Sequence, residues 1–344
     1  MSSAAAILGC AGTELTAAEK AFFADVRPWG FILFARNIQD PEQVRALVSA
    51  LRETVGDARA PVLIDQEGGR VARLKPPHWH ERPPGARFGQ AYAVNAETAR
   101  EATYLNARLI AHDLASLGIN VDCLPVLDVP QPGAHDVIGD RAFAADPAVI
   151  IDLGRVQIEG LLEGGVLPVM KHIPGHGRAG ADSHFNLPRV ATGPEELSAV
   201  DFVTFRSLDS CPMAMTAHVV YDSIDPQRPA TTSPKVIRDV IRGEIGFDGL
   251  LMSDDLSMKA LDGPLNARAK AALFAGCDVV LHCNGDMEEM KSVASETGVL
   301  EGASLRRAEH ALSLLLDPKP FDPAAAEARV AALLGGSSLK EVGA

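Results

Sequence analysis

The sequence carries no excess of positive charge. Its formal net charge is −13. Nucleic acids and anionic membranes are held by basic surfaces, so the balance argues against both as partners. No stretch approaches the roughly 18 apolar residues of a membrane span. The opening MSSAAAILGCAG lacks the basic start of a secretion signal and reads as a first strand. The five cysteines (Cys10, Cys123, Cys211, Cys277 and Cys283) form no CxxC pair and no even framework. That argues against structural disulfides and for a reducing compartment, the cytoplasm. No GxGxxG follows the first apolar run, which weakens a dinucleotide-binding reading. No HExxH occurs, and the one HxH, His78 and His80, sits in a proline-flanked loop.

What is present is an alternation. Eight short apolar runs read as strands: Ala4–Cys10, Gly30–Ala35, Ala60–Gln66, Asn120–Val129, Val166–His172, Pro212–Val220, Gly249–Asp255 and Asp278–Asn284. Both faces of most runs are apolar, as buried parallel strands require. Helical patterns fall between them over Thr16–Val26, Pro41–Val55, Ala96–Leu117, Pro147–Glu163, Pro194–Leu208, Ser233–Glu244 and Pro264–Ala275. Start signals such as DPEQ before the second and SPKVI at Ser233 support them. Eight strands mostly separated by helices favour an α/β fold of the (β/α)8, TIM-like type over an open sheet. No linker, repeat or second core interrupts the chain, so residues 1–344 are expected to form one domain. An Ala-rich helical tail, about 301–335, should pack on its outside.

Polar residues cluster where these runs end. Asp65, Asp128, Lys171, His172, His218, Asp254, Asp255, His282 and Asn284 all stand at or just past such an end. In a barrel these ends share one rim, where the βα loops build the active site. A charged group ending an apolar strand is costly unless it is paired or functional. A ring of them on one rim points to a site. Rim carboxylates beside Lys171, Arg73 and Arg141 suit acid–base or nucleophilic work on a polyhydroxylated substrate such as a sugar.

Five motifs carry a resemblance: LIDQEGGRVARL (Leu63–Leu74), VIGDRAF (Val137–Phe143), KHIPGHG (Lys171–Gly177), ADSH (Ala181–His184) and GLLMSDDLSM (Gly249–Met258). In this order they resemble glycoside hydrolase family 3, and specifically its short bacterial branch of β-N-acetylhexosaminidases of cell-wall recycling (NagZ-type). The similarity runs from about Ala5 to Leu316. It implies a TIM-like barrel and hydrolysis with retention of configuration. Asp254 matches the family nucleophile. Asp255 is expected to face away, because adjacent residues of an extended segment point oppositely, and to serve as a structural carboxylate that caps the next helix. The Asp-Ser-His triplet matches the branch's acid/base, with His184 moving the proton and Asp182 holding the imidazole. A neighbouring carboxylate favours imidazolium, and imidazole titrates near neutral pH. Asp65, Arg73, Arg141, Lys171 and His172 match the positions that hold the N-acetylglucosamine unit. The implied substrate is an N-acetylglucosaminyl muropeptide, and the implied two-step displacement needs no metal and no cofactor. The roles of His176 and His218 are left open. Pro174–Gly180, with its three glycines, is expected to be a loop free to move.

Four other readings compete. His172, His176 and His184 with the rim aspartates could bind zinc in a metal-dependent hydrolase. Family-3 β-glucosidases resemble this fold, but their longer members place a glutamate acid/base on an additional domain for which this chain has no room. A non-catalytic sugar-binding protein could dispense with Asp254 and His184, yet both are present. Finally, a histidine acid/base repels phosphate less than a carboxylate does, which would suit a β-N-acetylglucosaminide phosphorylase.

Overall fold

The computed structural model describes residues 2–183 and 185–335. Ten strands are present: β1 (Ala4–Leu8), β2 (Pro28–Leu33), β3 (Val62–Ile64), β4 (Val121–Asp122), β5 (Leu167–Ile173), β6 (Arg189–Val190), β7 (Met213–Thr216), β8 (Val220–Tyr221), β9 (Leu250–Asp255) and β10 (Val279–His282). Eight of them close a barrel in the order β1-β10-β9-β7-β5-β4-β3-β2. Every ladder is parallel. β6 and β8 form a small separate parallel pair above it. The eight expected runs are the eight barrel strands, and the fold is the (β/α)8 barrel.

The period-2 alternation of strands sorts the core into two layers. Ile7, Ile32, Leu63, Val169, Met252 and Leu281 belong to one buried cluster. Their neighbours Leu8, Leu33, Ile64, Met170, Leu251 and Val280 belong to another, shared with the helices. The first cluster fills the barrel and the second glues helices to its outside. Extending the inward set by two residues along each strand reaches Asp65, Lys171, Asp254 and Cys283. The site is thus the top layer of the barrel interior.

Local chemistry starts the helices where the sequence predicts. Thr16 Oγ1 accepts the Glu19 N–H at 3.1 Å while Glu19 returns a bond to the Thr16 N–H at 2.8 Å, a capping box for Ala17–Val26. Asp40 and Asp146 cap Pro41–Val55 and Pro147–Glu163, each with proline at the first helical position. Ser233 Oγ accepts the Val236 N–H at 3.1 Å. The helices expected over Pro194–Leu208 and Ser233–Glu244 form, but with wide π turns over Leu197–Asp201 and Val236–Glu244. Two helices were not anticipated, Gly85–Val94 and Met287–Ala294. The first opens on PPGARFG, whose proline and glycines read as loop. The tail helices Gly302–Ser313 and Pro323–Leu333 follow the barrel. Val330 and Ala326 of the last one bury against Leu109. No helix among the described residues is long and apolar enough to cross a membrane. All five cysteines are free and buried.

Candidate active site

A cavity of about 260 Å3 opens at the C-terminal end of the barrel strands. Ligand pockets run from roughly 300 Å3 upward, so this is the scale of a single sugar unit rather than an oligosaccharide. Asp65, Arg73, Arg141, Lys171, His172 and Asp254 all line it. The structure therefore gathers six of the eight expected site residues in one place. Asp182 stands at the rim, next to Ser183, which lines the cavity. His184 lies outside the described residues.

The wall is an ion network. Lys171, 2% exposed, places Nζ 2.9 Å from Asp65 Oδ1 and 2.6 Å from Glu67 Oε1. Arg141 grips Glu67 with two parallel bonds, Nε to Oε2 at 2.9 Å and Nη2 to Oε1 at 2.8 Å, the strongest geometry for a guanidinium and a carboxylate. Arg73 Nη2 reaches Asp65 Oδ2 at 3.0 Å, and its guanidinium lies 4.9 Å from the centre of the Phe34 ring. Arg73 is thus part of the wall. Burial alone would raise both carboxyls. Lys171, Arg73 and Arg141 more than offset this for Asp65 and hold it below the usual carboxylate range. For Glu67, Lys171 and Arg141 bring the carboxyl down to about 2. Burial acts to lower Lys171, but the two carboxylates keep it above its ordinary value, so it stays charged.

Glu67 was missed by sequence reasoning. A signal existed, because it stands two residues beyond Asp65, on the same side of an extended segment. What completes its placement is a tight turn. Gly68 and Gly69 have φ of +102° and +54°, and a Cβ at Gly68 would meet the Pro83 carbonyl oxygen at 2.3 Å. Only glycine fits there. Gln66 then clamps the returning strand, its Oε1 accepting the N–H groups of Arg73 and Leu74 at 2.9 Å each. That clamp aims Arg73 back at Asp65.

His172 should face away from the cavity, since Lys171 faces into it. The register against β7 shifts between Lys171 and Ile173, and both side chains line the cavity. Asp128, buried at the end of the β4 segment, organises this corner. Its Oδ2 bonds His172 Nδ1 at 2.7 Å, and its Oδ1 accepts the N–H groups of His172 at 3.2 Å and His176 at 2.6 Å. Burial opposes the charge, yet His172 and His176 hold the Asp128 carboxyl down to about 2. Burial, with His172 beside it, pushes the His176 imidazole down to about 4, so His176 is neutral at neutral pH. Its Nε2 lies 3.2 Å from Ser183 Oγ. His172 and His176, two of the three histidines considered as metal ligands, thus spend one ring nitrogen each on Asp128 and Ser183.

The end of β9, which carries Asp254, is held from behind. The Asp254 N–H donates to Thr216 Oγ1 at 3.3 Å, and Asp254 Oδ1 accepts the Asp255 N–H at 2.8 Å. His218, buried, bonds Thr231 Oγ1 at 2.7 Å through Nδ1 and the Asp255 carbonyl at 3.0 Å through Nε2. It is a satisfied histidine that supports β9 and does not line the cavity. Asp255 caps a turn rather than the next helix, which starts only at Leu265. Its carboxylate accepts from Ser257 N–H at 3.0 Å, Ser257 Oγ at 2.5 Å and Cys283 N–H at 3.1 Å. It also reaches the cavity edge, so the two adjacent aspartates do not face fully apart.

The Pro174–Gly180 segment, expected as a loop free to move, is non-helical and is packed along most of its length. Residues 174–177 and 179 are buried. Tyr221 Oη donates to the Gly175 carbonyl at 2.5 Å, the Gln131 N–H to Gly177 O at 3.1 Å, and the His135 N–H to Ala179 O at 2.8 Å. Arg178 bridges Asp201 at 2.6 Å and Glu196 at 2.8 Å. Gly177 is a close-approach position, where a Cβ would lie 2.0 Å from the Val129 carbonyl oxygen. The exposed part begins at Gly180.

Comparison with known proteins agrees with this geometry. The profile of the glycosyl hydrolase family 3 N-terminal domain matches residues 8–313. A beta-hexosaminidase of Alkalilimnicola ehrlichii is 42% identical over 284 residues, covering 81% of this chain and 80% of its own. One from Tolumonas auensis is 38% identical, covering 90% and 89%. The crystal structure of NagZ from Neisseria gonorrhoeae in complex with N-trifluoroacetyl-D-glucosamine superposes with a TM-score of 0.88 at 31% identity, over 97% of this chain and 99% of that one. The chain belongs to glycoside hydrolase family 3, in its NagZ-type branch.

Proposed function

We propose that this glycoside hydrolase is a retaining β-N-acetylhexosaminidase that removes terminal β-linked N-acetylglucosamine. The observation that carries the reading is the juxtaposition in one sugar-sized cavity of Asp254 with the Asp65–Lys171–Arg73 network and His172. The hexosaminidase relatives and the N-trifluoroacetyl-D-glucosamine bound to N. gonorrhoeae NagZ support the choice of sugar. Asp65 and Lys171 share hydrogen bonds with sugar hydroxyls, while Arg73, Arg141 and His172 complete the cradle.

In the first step an Asp254 oxygen attacks the anomeric carbon as the glycosidic C–O bond breaks. Protonated His184 gives its proton to the departing oxygen. In the second step neutral His184 takes a proton from water, whose oxygen displaces Asp254 and frees the sugar with its configuration retained. Asp182 holds the imidazole and favours its charged form. A neutral base also avoids a second anion facing Asp254. The proposed aglycone is a muropeptide ending in anhydro-muramic acid, met during peptidoglycan recycling in the cytoplasm. The overlap with NagZ along nearly the whole chain supports this setting.

The test is turnover of 4-nitrophenyl β-N-acetylglucosaminide against the β-glucoside, with and without phosphate. The first substrate should be cleaved, the second poorly, and phosphate should leave the rate unchanged. Asp254→Ala should lower kcat by about 10³-fold or more. No turnover by wild type, or full activity in the variant, rejects the reading.

A further inference from the structure

Ser183 sits in sequence between the two residues assigned to acid/base work, and its side chain is buried. It is 3% exposed, while Asp182 is half-buried and Phe185 is 65% exposed. A serine in an exposed loop normally turns its hydroxyl to water. This one is fastened on two sides. Its Oγ lies 3.2 Å from His176 Nε2, and its carbonyl accepts the Ala260 N–H at 3.2 Å. His176 is itself immobilised. Its backbone N–H donates to Asp128 Oδ1 at 2.6 Å, and its ring meets that of His172 edge to face at 5.6 Å between centres. Ala260 follows the turn that Asp255 caps through Ser257.

Two chains of contacts therefore converge on one residue. One runs from the sugar-holding corner, Asp128 and His172, through His176. The other runs from the nucleophile strand through the 256–260 turn. We propose that Ser183 is a positioning residue whose hydroxyl and carbonyl register the acid/base triplet against both the bound sugar and Asp254. The hydroxyl bond to His176 is the adjustable half, because the carbonyl bond survives side-chain substitution. A general acid displaced by about 1 Å loses much of its contribution. This inference rests on the reading of Asp182 and His184 as the acid/base pair.

The experiment compares two N-acetylglucosaminides that differ only in leaving group. A methyl glycoside needs a proton on the departing oxygen, and a 2,4-dinitrophenyl glycoside does not. In Ser183→Ala, kcat/KM for the methyl glycoside should fall by on the order of tenfold, with that for the dinitrophenyl glycoside within about twofold of wild type. Ser183→Thr, which keeps the hydroxyl, should recover most of the loss. In a His176→Phe background, Ser183→Ala should add little further, because a phenyl ring cannot make the bond. His184→Ala is the reference and should show a larger loss with the same selectivity for the methyl glycoside. If His184→Ala shows that selectivity and neither Ser183→Ala nor His176→Phe does, the positioning role is wrong and the acid/base reading stands. Equal losses on both substrates in Ser183→Ala also overturn the role, since general damage does not discriminate leaving groups. If His184→Ala itself lacks the selectivity, both fall together.

Discussion

Lys171 and Ser183 face the same cavity, but they are held by different means. Lys171 stands on a barrel strand with two carboxylates at 2.9 and 2.6 Å, and two arginines complete the network. Ser183 hangs from one imidazole nitrogen and one amide. The wall is preorganised by charges that cannot move apart without leaving one of them buried and unpaired. The rim is attached by neutral hydrogen bonds, each worth about 1 kcal/mol, so it can be repositioned without threatening the fold. On the proposed mechanism, gripping a sugar falls to the rigid part and moving a proton to the adjustable one.

The sharpest way to break the wall is Lys171→Met. It removes the ammonium that Asp65 and Glu67 share and leaves each buried carboxylate with a single arginine. We expect a loss of about 3–5 kcal/mol, the usual cost of removing one partner of a buried pair. The readout is the denaturation midpoint, and a loss below 1 kcal/mol would refute the idea that the network is preorganised by charge.

Titration probes the same wall with a smaller effect. Glu67 and Asp128 have folded values near 2, below those of the unfolded chain. Their contribution is therefore present above about pH 4–5 and lost as pH falls towards 2. Asp122 has the opposite sign. It is fully buried, its Oδ2 lacks a partner among the described residues, and burial raises it to about 7. Its contribution is complete below the unfolded value near 4 and declines as pH rises to and beyond 7. Melting curves should show Asp122→Asn gaining stability relative to wild type at pH 8.5 and not at pH 5. A gain of equal size at both values would remove burial of this carboxyl as the cause.

The smallest effect belongs to the rim. Phe185→Ser, at an exposed position beside the triplet, should shift stability by no more than about 0.5 kcal/mol. A larger shift in the thermal midpoint would mean the rim is as tightly integrated as the wall.

Much of this was legible before folding. The eight barrel strands are short runs apolar on both faces, and the caps at Thr16, Asp40 and Asp146 are local chemistry. The rim ring followed from strand ends alone. Helix Gly85–Val94 was illegible because its stability comes from packing: Phe88 buries in the core, and a Cβ at Gly89 would meet the Phe143 carbonyl oxygen at 1.7 Å. The packing of Pro174–Gly180 was illegible for a related reason. Gly177 serves close approach to Val129 and Gly175 lies against Asp201, neighbours that are distant in sequence.

By itself the sequence determined the alternation, the barrel that the alternation implies, and the chemistry available at the strand ends. These depend on residues a few positions apart, so period and capping suffice. Only the tertiary structure decided the pairing. Glu67 meets Lys171 and Arg141, Asp128 fastens His172 and His176, and Ser183 closes on His176 and Ala260. A shift of register on β5 turns His172 beside Lys171. Charges and hydrogen bonds act over a few ångströms of space, and barrel closure sets which residues come that near.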